Sequence, residues 1–117
     1  MLIARTSRGA GIRKPSRPAI RNMLANLRRG NSHLVLERTE ENLEGDWYIQ
    51  VRLRDNNIYE LEYRDGVPAV HYQTLTVSLA KVTDAFIAWA DGRTDWKAGF
   101  MWTNIGSRFM EQADTAE

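Results

Sequence analysis

Few residues in this chain have the type and spacing to do chemistry. His33 and His71 are the only histidines, and neither has a second ligand at the His-x-x-x-His spacing that puts two imidazoles on one helix face. Cysteine is absent, which excludes disulfides, thiolate metal sites and cysteine nucleophiles. No metal and no cofactor are expected. A Ser-His-Asp triad lacks the Gly-x-Ser-x-Gly elbow that would support it. Gly9-Ala10-Gly11 starts like a dinucleotide fingerprint, but the third glycine is missing and no βαβ unit surrounds it. Glu60 and Glu62 stand two apart, on one face of a strand. Glycosidase carboxylates sit on separate elements across a cleft, so this pair reads as solvated rather than catalytic. The chain is expected not to be an enzyme.

Charge is the stronger signal. The net charge of +1 over 117 residues hides an asymmetry: residues 1–30 hold eight basic residues and no acid. The other eight basic residues face all fifteen acids in residues 31–117, so the two parts carry +8 and −7. Either the parts neutralise each other in the fold, or one of them is offered to a partner. Arg13, Lys14 and Arg17, on a loop entering a helix, are the candidate phosphate contacts if that partner is a nucleic acid. Mitochondrial presequences share this composition. No run resembles a secretory leader, and none approaches the roughly 20 apolar residues that cross a bilayer. The chain is expected to be soluble and cytoplasmic, with no membrane partner.

The elements that must position these residues follow from periodicity. At 117 residues one α+β domain is expected over residues 1–117. Met1–Arg5 is a short strand, and Thr6–Arg17 a Gly- and Ser-containing basic loop without regular structure. Ser16 caps a helix in which Ile20, Met23, Leu24 and Leu27 recur at i, i+3, i+4 and i+7 until Gly30. His33–Arg38, Trp47–Arg54, Ile58–Arg64 and Ala69–Val77 read as a four-strand meander, the cleanest alternation being Trp47, Ile49, Val51 and Leu53 against Tyr48, Gln50, Arg52 and Arg54. Ser78 caps a second helix over residues 79–90, with Leu79, Val82, Phe86 and Trp89 on one side. Thr94–Ile105 holds a turn and a last strand, and residues 107–117 are a frayed tail. The expected fold is an antiparallel sheet of four strands, or five to six with the terminal runs, and two helices packed on one face. The four tryptophans are packing residues rather than a ligand cage.

Alternation leaves Tyr48, Arg52, Glu60 and Glu62 on the face away from the helices. With Tyr59 or Tyr63 as a further exposed aromatic, and the acidic run Glu37, Glu40, Glu41, Glu44 and Asp46 nearby, that face suits a basic protein partner.

From Gly45 to Ile105, about half the chain, the segments DWYIQVRLRDNNIYELEYRDG, HYQTLTVSLAKVTDAFIAWADG and DWKAGFMW carry a resemblance. It resembles small actinobacterial proteins, some of them similar to immunity proteins of polymorphic-toxin systems. The resemblance implies a non-enzymatic α+β protein that binds a cognate toxin and occludes its active site. A nucleic-acid-binding accessory protein acting through the arginine-rich segment is the alternative.

Overall fold

A computed structural model describes residues 1–9 and 11–114 of the chain, with side chains described through Met110. The strands are β1 (Leu2–Thr6), β2 (Gly11–Arg13), β3 (His33–Arg38), β4 (Asp46–Leu53), β5 (Tyr59–Gly66), β6 (His71–Thr76) and β7 (Thr103–Asn104). The helices are α1 (Arg17–Ala25), α2 (Leu79–Ala90) and α3 (Ser107–Asp114). All strand pairs are antiparallel, in the order β2-β1-β3-β4-β5-β6-β7.

The period-2 segments bury the side expected of them. Leu34, Leu36, Ile49, Val51 and Leu61 lie on one face of β3 to β5 and are sealed from solvent. Against that face pack Ile20 and Leu24 of α1 and Val82, Phe86 and Trp89 of α2. Both helices start as their sequences specify. Ser16 Oγ accepts from the Ala19 N–H at 3.1 Å and Ser78 Oγ from the Lys81 N–H at 3.1 Å, each satisfying a donor that the helix itself cannot. The end of α2 is held by arginines: Arg38 donates to the Trp89 carbonyl at 2.9 Å, and Arg17 pairs with Asp91 at 2.6 Å. The guanidinium of Arg38 also lies 4.5 Å from the Trp89 ring centre.

The α+β class and the antiparallel sheet agree with expectation, but the element count is larger: seven strands and three helices among the described residues. The loop Thr6–Arg17 contains β2, which turns back on β1 with Ile12 opposite Ala4. Backbone pairing to an open edge is enough there, without an apolar pattern to announce it. Pro68 does not begin a strand. It opens a single 3₁₀ turn over Pro68–Val70, consistent with its missing N–H, and β6 starts only at His71. The expected tail is helical as α3, which crosses to the sheet face that α1 and α2 leave open, while residues 115–117 and Ala10 lie outside the described residues. Tyr63 is not an exposed aromatic. It is 6% exposed, stacked on Tyr72 at 5.3 Å and met edge-on by Trp96 and Trp102.

Candidate functional site

Strand register gathers the residues of the second sheet face. Arg52 lies opposite Glu60, Gln50 opposite Glu62, and Tyr48 opposite Arg64, which in turn lies opposite His71 on β6. Tyr48, Arg52, Glu60 and Glu62 therefore share one patch, as alternation predicts. What register adds is how far its carboxylates are already engaged. Glu60 pairs with Arg54, the residue just past the end of β4, at 2.7 Å, rather than with Arg52 across the ladder. Glu62 accepts from His71 Nε2 at 2.7 Å, and the Gln73 amide donates to both carboxylates, at 3.1 and 3.2 Å. Glu62 is only 7% exposed.

His71 sits at the centre of this network. Arg64 Nε donates to its Nδ1 at 3.0 Å, and an arginine nitrogen can only donate, so the imidazole proton belongs on Nε2, facing Glu62. The Tyr48 hydroxyl reaches the same Nδ1 at 3.3 Å; burial raises its pKa and keeps it protonated, able to donate. Phe109 of α3 closes the assembly, stacked on His71 at 4.4 Å and under the Arg64 guanidinium at 4.5 Å. His71 is 1% exposed, so no substrate atom reaches its ring. Buried Glu62, His71 and Arg64, with half-buried Tyr48 and each member paired, act as a polar knot that pins β4, β5, β6 and α3 together.

This knot and the tyrosine behind it give the fold two pH limits. Burial pushes the Glu62 carboxyl up, but its hydrogen bonds, that of His71 foremost, outweigh this and hold it below the ordinary 4.5. A depressed carboxyl contributes stability that is present above 4.5 and lost as pH falls through the folded value. Burial, aided by Asp65 and Tyr72, raises the Tyr63 hydroxyl from 10.0 to about 12. That contribution is complete below pH 10.0 and lost as pH rises towards about 12. Urea midpoints measured across pH should hold a plateau between these limits. The acid limb should be shallower in Glu62→Gln, and the alkaline limb in Tyr63→Phe.

The basic candidates do not form one patch. Arg17 is committed to Asp91 and the Ala90 carbonyl. Arg13 lies on the edge strand β2 beside Met1, and Lys14 follows it in the left-handed region with φ 51°. Two other surfaces were not legible in the sequence. One is a groove of about 720 Å³ between the α1–β3 loop and the β4–β5 turn, lined by Arg28, Arg29, Arg52 and Arg54.

The other is the outer edge of β6. There β7 pairs only with Tyr72 and Gln73, through Asn104 and Thr103, and the Ile105 N–H donates to the His71 carbonyl at 2.9 Å. In an antiparallel ladder every second residue faces the same neighbour, so the main chain of Leu75 points to that side as well. Among the described residues no strand meets it. Beside this gap lie Leu75, Val77 and Met101, which are 49%, 78% and 92% exposed, and a groove of about 370 Å³ that Phe100 and Met101 help to line. A two-residue β7 is the signal that exposes this edge, and it cannot be recognised until the ladder is seen.

No group of three potential metal ligands occurs among the described residues, and no helix there is long and apolar enough to cross a membrane. Compared with protein-family models, curated proteins and solved structures, the chain matches none.

Proposed function

We propose that the chain is a non-catalytic binding protein that blocks a partner protein, as the immunity proteins it resembles block a toxin. The partner supplies an extended segment that pairs with β6 where β7 ends. The observation that carries this reading is the unpaired main chain of Leu75 with Leu75, Val77 and Met101 exposed around it. Single exposed apolar side chains are ordinary, but three beside an open sheet edge form the surface that strand addition uses: main-chain hydrogen bonds for affinity, alternate side chains for selection. The sealed imidazole of His71 supports the non-catalytic part. Tyr48, Glu60 and Glu62 then act mainly inside the protein, Arg52 stays exposed at the end of β4, and the binding surface lies one strand away.

Leu75→Pro tests this with little cost to the fold, because the N–H it removes faces the side of β6 where, among the described residues, no strand pairs with it. The wild type and the variant are immobilised and exposed to nuclease-treated lysate of the native cell, and retained proteins are quantified. The expected result is a protein held by the wild type and by Tyr48→Ala but lost from Leu75→Pro, with the melting transition of the variant preserved. A partner retained equally by Leu75→Pro, or no retained protein at all, refutes the proposal.

A further inference from the structure

The arginine-rich segment is not neutralised by the acidic remainder. Of the eight basic residues in 1–30, Arg5 pairs with Glu37 and Arg17 with Asp91. Arg8, Arg13, Lys14, Arg21, Arg28 and Arg29 make no ion pair among the described residues. Two of these free arginines, Arg28 and Arg29, meet Arg52 and Arg54 from the far end of β4 across the 720 Å³ groove. The acids in its walls are Asp55 and Glu60, and Glu60 is occupied by Arg54 at 2.7 Å. Arg28, Arg29 and Arg52 are left with their donors directed to solvent or a ligand, against the single carboxylate of Asp55.

The same end of the sheet is basic beyond the groove. His33 lies opposite Arg52 in the ladder and bonds Ser7 at 2.9 Å, and Arg8 follows Ser7 in the β1–β2 turn. The exposed acids Glu40, Glu41, Glu44 and Asp46 collect at the opposite end, in the β3–β4 connection and the start of β4. The eight residues of β4 separate the two ends by roughly 26 Å at about 3.3 Å per residue. This is about three screening lengths at physiological salt, so the acidic end does not repel an anion held at the basic one.

We propose that this groove holds the phosphodiester backbone of a nucleic acid, with Arg28, Arg29 and Arg52 as the phosphate contacts and Arg54 positioned by Glu60. Guanidinium groups match phosphate oxygens in pairs, and three of them along an open groove suit successive phosphates better than one small anion. Among the described residues, Leu27 and Leu53 are the only large apolar ones in its walls and no aromatic ring lines it. Bases therefore find no stacking platform, and binding is by charge without reading sequence.

The test is fluorescence anisotropy with a labelled duplex of about 20 base pairs between 50 and 200 mM salt. Three phosphate contacts predict a log–log slope of about −2.7, a loss of roughly 40-fold over that range. Arg28→Gln with Arg52→Gln should reduce the slope by nearly 2, whereas Arg13→Ala with Lys14→Ala should leave it unchanged. Circular dichroism confirms that each variant is folded, and single replacements stand in should the double variant not be. The proposal is overturned if the groove variants bind as the wild type does, or if the Arg13 and Lys14 pair lowers the slope equally. Displacement of the duplex by pyrophosphate at matched phosphate concentration would assign the groove to a small anion and also overturn it.

Discussion

Phe86→Ala is expected to destabilise the protein by about 3–5 kcal/mol, up to half or more of the stability of an ordinary domain. Phe86 is the largest side chain completely sealed from solvent, and it joins α2 to Ile20 of α1 and to Ile49, Val51 and Leu61 of the sheet in one apolar cluster. Truncation loses the transfer free energy of the ring and leaves a cavity that two helices and a sheet can only partly close. Urea denaturation of the purified variant measures it. A midpoint shift worth less than about 1 kcal/mol would mean that the cluster repacks and that Phe86 does not organise it.

Gly45→Ala is expected to cost about 3 kcal/mol or more, for a reason that separates two effects. Gly45 has φ +86° and Gly92 has φ +77°, so alanine at either position bears the left-handed penalty of about 1–2 kcal/mol. At Gly92 nothing lies within 4 Å of an added Cβ. At Gly45 the new atom would enter the carbonyl oxygen of Gly66 and lie 2.8 Å from its carbonyl carbon, and both belong to backbone that cannot swing aside. Because Gly66 is the residue paired with Asp46, any shift is transmitted to the β4–β5 ladder. Thermal and urea unfolding of the two variants side by side should therefore place Gly45→Ala at least about 2 kcal/mol below Gly92→Ala. Equal losses would show that the hairpin end relaxes freely.

The sequence made the middle of the molecule legible, because each of its elements buries a periodic face. Ile49 and Val51 mark β4, Leu61 marks β5, and Ser78 with Val82, Phe86 and Trp89 marks α2 within a residue of its ends. The periphery was not legible because other forces hold it. β2 is held by pairing three residues to β1, and α3 sets Phe109 on an imidazole and a guanidinium and lies against the Pro68–Val70 turn. Neither leaves a hydrophobic period to read. The same holds for the sites. Alternation assigned Tyr48, Arg52, Glu60 and Glu62 to one face, yet only hairpin register reveals that His71, from the next strand, engages Glu62. The Arg28/Arg52 groove joins residues 24 apart on a loop and a strand end, a proximity that no local pattern encodes.

The strand order has a kinetic consequence. From β3 to β7 each strand lies beside the next one in the chain, and only β2 departs from this order. Every new strand emerging during synthesis therefore finds its neighbour already present, and most pairings close short loops rather than long ones. Topologies of this kind have low contact order and fold quickly for their β content. The two long closures are β1–β3, which must enclose β2 and α1, and β6–β7, which must enclose α2, and these are the steps that should limit the rate.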